Sequence, residues 1–303
     1  MHGMKVITRC RIELPPGFRR NDVLAFHRRD AQQLSERIDG HILDKGLVWD
    51  SVPACLTMRF GERGVRAELA LDGQPQPEIR KRLRRTVRHM LGLSQPIDAF
   101  EQAFRRHRLI GALVRRNGGL RVPQTATPWE ALCWAITGQQ ISVSAAVSIR
   151  RNFIQAAGAQ HSTGLWCFPD AARVADMRVN QMRKAGFSQT KANTLNALAE
   201  SVADGTLPLD TWCDKPVEQE IRERLQVIRG IGPWTVSYAL LRGFALLDGS
   251  LHGDVAVRRN LQRLLQREDK VGEKEAEDWL RPFSPWRALV AAHLWAMKRT
   301  EGY

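Results

Sequence analysis

Polar and apolar residues alternate over residues 5–14, with Val6, Thr8, Cys10, Ile12 and Leu14 on one side and Ile7, Arg9, Arg11 and Glu13 on the other. A period of two predicts a half-buried strand, ended by Pro15-Pro16. The pattern then predicts a helix over 21–38, strands over 41–51, 55–59 and 65–71, and a turn at Gly61-Glu62-Arg63-Gly64. Pro75 and Pro77 open a further helix, whose apolar stripe is Ile79, Leu83, Val87 and Met90. Its remaining faces carry Arg80, Lys81, Arg82, Arg84, Arg85, Arg88 and His89, which suit phosphate contact and simple solvation equally well.

Past Gln95 the strand signals stop and every segment has helical period. Thr127-Pro128-Trp129-Glu130 reads as a capping box with proline at the first helical position, opening a helix that runs to Gly138. Ser142, Asp170, Ser188, Asp214 and Ser284 are placed to cap later helices, and Gly205 to stop the one before it. The fold class expected is therefore α+β, with a small mixed module over 1–95, a helical subdomain over 96–209 and a second helical subdomain over 210–303.

Composition sharpens this in one respect. With 43% hydrophobic and 26% charged residues the 303-residue chain is an ordinary globular one, but 46 Lys and Arg against 32 Asp and Glu leave a net charge of +14. Such a field draws in polyanions, and nucleic acid leads the candidates. No stretch approaches a membrane-spanning length, and residues 1–11 lack the apolar core of a signal peptide, so no membrane partner and a cytoplasmic, nucleoid-associated location are expected. The five cysteines, Cys10, Cys55, Cys133, Cys167 and Cys213, are scattered and lack metal-ligand spacing, so they are read as reduced packing residues.

The densest chemistry lies between Leu225 and Leu265. Ile221, Leu225 and Ile228 form the stripe of one helix, Gly230-Ile231-Gly232 makes a tight turn, and Pro233 starts the next helix. Glycines let a backbone turn sharply and come close to another chain, here a phosphodiester that accepts bonds from exposed N–H groups. Farther on, Asp254 heads another helix behind Gly253. Capping is the commonest job of such an aspartate, and a two-glycine turn alone is equally well a structural bend.

Together, Leu-x-x-Ile-x-Gly-Ile-Gly-x-Trp-Thr from Leu225 to Thr235 and the downstream Asp254 resemble the helix-hairpin-helix, Gly-Pro-Asp superfamily of DNA glycosylases, in particular its members that release alkylated purines such as 3-methyladenine. The resemblance spans nearly the whole chain, including Gly138-Gln139-Gln140-Ile141-Ser142, Trp286-Arg287 and His293-Leu294-Trp295. It implies an amino-terminal module similar to one half of the TATA-binding-protein fold, ahead of a two-part all-α glycosylase core. It also implies that Asp254 is the catalytic carboxylate, facing the positive charge that grows on the sugar and orienting water.

By the same resemblance Trp234, Tyr238 and Trp295 line a base slot, where electron-rich rings favour a cationic alkylated purine. The hairpin residues Gly230, Ile231, Gly232 and Thr235 would bind DNA phosphate. Gln140 would fill the space left by the flipped base; leucine stands there in the relative compared, so Gln139 and Ile141 stay open as alternatives. Some relatives that also cut the backbone use a lysine where this chain has Trp234, which implies a monofunctional enzyme. The iron-sulfur loop of other relatives has no cysteines here, since the last is Cys213. A monovalent cation on the carbonyls of Gln226, Ile228 and Ile231 is implied as a hairpin feature, and duplex DNA carrying alkylated bases as the partner of a monomer. Two alternatives remain: a glycosylase for deaminated bases such as hypoxanthine or uracil, and a non-catalytic DNA-binding protein. His252-Gly253 departs from the family's Pro-Asp, while Asp248 is set aside because Asp254 alone keeps the register. Arg258 and Arg259 are read equally as phosphate contacts and as solvated residues.

Overall fold

The computed structural model describes residues 6–297; the Lys5 end of the first expected strand and the last residues of the second helical subdomain lie outside that range. The chain opens with β1 (Val6–Glu13), α1 (Arg20–His27), β2 (Glu36–Asp39), β3 (Ile42–Trp49), β4 (Val52–Phe60) and β5 (Gly64–Leu71), followed by α2 (Ile79–Met90). The strands form one antiparallel sheet in the order β1-β5-β4-β3-β2. Alternation places Cys10 and Ile12 of β1 inward and Arg9, Arg11 and Glu13 outward, as the period of two predicts. The stripe Leu83, Val87 and Met90 of α2 is buried against the inner face, each side chain contributing about 1.5–3 kcal/mol on leaving water.

The expected helix over 21–38 is corrected. It stops at His27, and Glu36–Asp39 pairs with β3. Between them the Asp30 carboxylate accepts the N–H groups of Gln32 and Leu34, and Gln33 takes φ 51°, so local side-chain bonds and a sheet partner outcompete helical propensity.

The helical part comprises α3 (Ile97–Phe104), α4 (Gly111–Arg116), α5 (Pro128–Gly138), α6 (Val143–Ala157), α7 (Ala171–Ala175), α8 (Val179–Lys184), α9 (Gln189–Ala203), α10 (Leu209–Asp214), α11 (Glu218–Gln226), α12 (Pro233–Gly243), α13 (Val255–Leu264), α14 (Glu273–Leu280) and α15 (Arg287–Trp295). Two hydrophobic clusters share it. One joins α5–α10 to α11 and α12; the other joins α3 and α4 to α13–α15. Core packing therefore runs across residue 209: α11 and one face of α12 bury against α5–α9, while Tyr238 and Leu241 on the other face of α12 join the cluster of α13–α15. Among the described residues no helix is long and apolar enough to cross a membrane.

Thr127, Ser142, Asp170 and Ser188 cap α5, α6, α7 and α9 as expected, and Gly205 follows α9 with φ 81°. Two other cap expectations fail and a third holds in half. Asp214 ends α10 instead of starting α11 and binds Arg85 at 2.6 Å. Ser284 lies two residues before the cap of α15 and donates to Asp248 at 2.8 Å. The Thr127 hydroxyl accepts the Glu130 N–H, but Glu130 accepts the Ala126 N–H and otherwise turns inward, so only half of the capping box forms.

Inside, Glu130 binds Lys45 of β3 at 2.7 Å and Arg150 of α6 at 2.8 Å, and Lys45 also binds Glu36, which accepts His27 at 2.7 Å. Lys45 is 0% exposed. Burial works to raise the pKa values of Glu36 and Glu130, yet Lys45 and Arg150 outweigh it and hold both carboxyls below their usual range. This cluster fastens the sheet to the helical core. A second junction lies at β3, where Phe168 adds a parallel bridge to Leu47 and a Cβ on Gly46 would sit 2.1 Å from the Trp166 carbonyl oxygen.

Candidate active site

Gly230 and Gly232 differ in what they do. Gly230 has φ 95°, and a Cβ there would lie 2.2 Å from the Thr194 hydroxyl, so it serves the close seating of the hairpin on α9. Gly232 is the N-cap of α12, has nothing within 4 Å of a would-be Cβ, and no side chain caps this helix. With Pro233 at the first helical position, the open end presents main-chain N–H groups and the positive end of the helix dipole to solvent. The Ile231 side chain is buried in the core between α11 and α12. Thr235 is 2% exposed and its hydroxyl accepts a bond from Gln139 at 2.9 Å, so its side chain sits behind the hairpin rather than on the phosphate side.

The turn after α5 is tied to the hairpin. Gln139 donates to the Gly230 carbonyl and to Thr235, both at 2.9 Å, and Lys191 donates to the carbonyls of Thr137 and Gln139. The half-buried Gln139 is thereby tied to the hairpin. Gln140, at φ 57°, and Ile141, 37% exposed, form the projecting tip.

Asp254 caps α13, its Oδ1 accepting the Val257 N–H at 2.9 Å. The same oxygen accepts the indole N–H of Trp295 at 3.2 Å, and Oδ2 accepts that of Trp234 at 3.2 Å. Three neutral donors thus converge on one carboxylate that is only 4% exposed. Two of the three aromatic residues expected to line a base slot, Trp234 and Trp295, thus rest directly on the carboxylate oxygens. Trp234 is half-buried, while Tyr238 is buried with its ring 5.6 Å from that of Trp234. Asp248 is a structural group: burial works to raise its pKa, but bonds from Arg287 and Ser284 more than offset this and hold it below the usual carboxylate range. His252 bonds Ser250 at 2.8 Å and approaches Glu273 at 3.8 Å.

Four residues that sequence reasoning did not single out complete the surroundings. Phe26 comes from the amino-terminal module, with the guanidinium groups of Arg29 and Arg242 at 4.0 and 4.5 Å over its ring. Arg29 also lies 4.8 Å from the Trp134 ring, and Arg242 5.7 Å from that of Trp295. Desolvation pushes Arg242 down to about 10, opposed by Tyr238 and reinforced by the charge of Arg29, and its Nη1 donates to the Pro123 carbonyl. No local spacing signals this group, since Phe26 and Trp295 are separated by almost the whole chain.

Two family models match the sequence. Residues 133–285 match the HhH-GPD superfamily of base excision DNA repair proteins, and residues 10–127 match the AlkA N-terminal domain. A DNA-3-methyladenine glycosylase of Bacillus subtilis is 24% identical over 295 residues, covering 94% of this chain and 95% of that protein. The DNA-3-methyladenine glycosylase 2 of Escherichia coli is 30% identical over 196 residues, covering 64% and 65%. The structure of a 3-methyladenine DNA-glycosylase from Archaeoglobus fulgidus superposes with a TM-score of 0.79 at 20% identity over 94% of this chain and 96% of that one, which establishes the shared fold.

Proposed function

The chain belongs to the HhH-GPD superfamily of base excision DNA repair proteins, and from that membership we propose that it is a monofunctional DNA glycosylase that excises alkylated purines of the 3-methyladenine type from duplex DNA. The observation that carries this reading is the Asp254 carboxylate, buried at a helix N-terminus, held by three neutral N–H donors and facing two indoles. Among the described residues no cation is salt-bridged to it, so its negative charge is available to the sugar, which becomes positive as the glycosidic bond breaks. That bond breaks with its electron pair leaving on the purine. Water then attacks the sugar carbon and gives up a proton, for which Asp254 is the acceptor, leaving an abasic site.

The base reaches the carboxylate by displacing Trp234, and stacks among Trp234, Tyr238 and Trp295. A cationic purine gains from electron-rich ring faces and is already activated as a leaving group, so no second carboxylate is required. The uncapped N-terminus of α12 at Gly230-Ile231-Gly232 grips a phosphate through backbone N–H groups, including that of Thr235, while Gln140, with Ile141 beside it, fills the stack. Trp234 at the position of the lyase lysine leaves no amine to attack the sugar. No iron-sulfur cluster is required. The hairpin carbonyls of Gln226, Ile228 and Ile231 are neutral oxygens of the kind that suits a sodium or potassium ion; that of Ile228 accepts the Ile231 N–H at 3.0 Å and keeps a second lone pair. Such an ion would add positive charge beside the phosphate.

The test is a release panel on purified protein with duplexes carrying 3-methyladenine, 7-methylguanine, ethenoadenine, hypoxanthine or uracil. Release of the cationic bases at least tenfold faster than the neutral ones is expected; faster release of hypoxanthine or uracil would overturn the substrate class. Borohydride should trap no protein-DNA adduct, and a trapped adduct would overturn the monofunctional reading.

A further inference from the structure

The outer face of the sheet carries two adjacent cross-strand rows with opposite electrostatic character. In one, Arg9 of β1 stands opposite Glu68 of β5 and binds it at 2.7 Å, Glu68 stands opposite Thr57 of β4, and Thr57 donates to Asp44 of β3, which in turn opposes Arg37 of β2. Each charge in that row has a neighbour that compensates it. In the next row Arg11 of β1 opposes Arg66 of β5, and Arg66 opposes Arg59 of β4; uncharged Ile42 of β3 comes next and sets the arginines apart from Asp39 of β2 at the far end. All three arginines are exposed, and none takes part in a salt bridge among the described residues. Arg63, exposed in the hairpin between β4 and β5, and Arg84 of α2, which donates to the Arg11 carbonyl, extend the same edge.

Like charges placed directly across a sheet destabilise it, and one acidic residue at position 66 would relieve the strain just as Glu68 does a row away. Three arginines on adjacent strands about 5 Å apart, none salt-bridged among the described residues, are arranged for a ligand that brings repeated negative charge. The row lies on the opposite side of the sheet from the helices that carry the hairpin. The row points outward; behind β1 and β5 lies α2, while at β3 the inner face is joined through Lys45 and Glu130 to α5, on which packs α12 with the hairpin end. Two layers of packed elements, each roughly 10 Å thick, separate the surfaces.

We propose that Arg11, Arg66 and Arg59, flanked by Arg63 and Arg84, form a second polyanion-binding surface that takes the phosphate backbone of a duplex DNA segment other than the one in the active site. Guanidinium groups match phosphate oxygens in pairs of bonds, and the contact reads no sequence, so it suits any undamaged duplex. The enzyme would hold a lesion segment on one side and a neighbouring segment on the other, which allows direct transfer between segments during search. The inference rests on the reading of the chain as a DNA glycosylase.

The experiment immobilises a lesion-bearing duplex, adds the full chain and measures capture of a second, fluorescent 30-base-pair lesion-free duplex (~30, sized to a few helical turns). Wild type should capture it, and the Arg11→Ser/Arg59→Ser/Arg66→Ser variant should lose capture at least tenfold, with the log-log salt dependence of capture flatter by roughly 2–3. Base release from a single short duplex should stay within twofold. Arg66→Glu, which supplies the missing acidic neighbour, should melt at or above the wild-type temperature and also lose capture, which separates the surface from any folding defect. Equal capture by wild type and triple variant, or no capture by wild type, overturns the proposal. So does a parallel fall in base release, which would make the row part of the primary footprint, and stronger capture of single-stranded RNA than of duplex would overturn the choice of partner. If wild type releases no base at all but captures duplex, the glycosylase reading fails and this surface stands.

Discussion

Glu130 and Asp254 are both carboxylates in the first turn or cap of a helix, and both are 4% exposed, yet they are held in opposite ways. Glu130 sits between Lys45 and Arg150 at 2.7 and 2.8 Å, so its charge is neutralised where it stands. Among the described residues Asp254 meets only uncharged donors: one backbone N–H and two indoles. Burial of an ion is tolerable in either case because every oxygen has partners. The difference is that a neutralised carboxylate can only hold the fold together, whereas one solvated by neutral dipoles still has its field available to a developing cation. Depth and helix position alone do not identify a catalytic carboxylate; the identity of its donors does.

Substitution should separate the two. Asp254→Asn is expected to lower base release by roughly 10²–10³-fold, as loss of one transition-state charge contact does. It should leave the melting temperature nearly unchanged, because the retained Oδ1 still caps Val257 and accepts from Trp295. Its amide nitrogen would face the Trp234 N–H, donor against donor, so tryptophan fluorescence should also report a displaced ring. Single-turnover release at the wild-type rate would remove Asp254 from the chemistry. Glu130→Gln should do the converse, lowering the unfolding free energy by about 3 kcal/mol because Lys45 and Arg150 lose half of their counter-charge, with base release at low temperature kept within twofold. A urea titration that shows no change would mean the cluster contributes nothing net.

Acid should reach the structural side first. Burial lowers the pKa of His27, beside Glu36, and that of His293, stacked on Phe100, to about 4 in the latter case. Both therefore bind protons more readily in the unfolded chain, so stability is full above about pH 6.5 and is lost as pH falls from there towards 4, by at most about 1.4 kcal/mol per pH unit for each histidine. Glu36 and Glu130, held below their usual range, keep their contribution above about pH 4.5 and lose it below. Melting temperatures measured from pH 7 to 4 should fall through this range; a flat profile to pH 4.5 would contradict the buried neutral histidines.

What the sequence displayed was whatever depends on near neighbours. Alternation in β1, the stripe on α2, the Gly-x-Gly bend and the cap at Asp254 are all set within a few residues, and they form as expected. The helix expected over 21–38 failed because β2 exists only as a partner of β3. Asp214 and Ser284 were good caps by type, but Arg85 and Asp248, remote in sequence, claimed them. The same remoteness hid Lys45 from Glu130 and Phe26 from Trp295. In the candidate site the aspartate and its aromatic companions were legible as residue types in order, while the closure of two indoles over the carboxylate needed coordinates.

The two hydrogen bonds from Gln139 to the hairpin give the proposed reading a mechanical corollary. A clamp on the backbone and a wedge at the base stack, joined by a stiff strut, cannot act in separate moments. Each halt along a duplex would then also be a push at the pair beneath, and only pairs already weakened by damage would yield before the protein moved on.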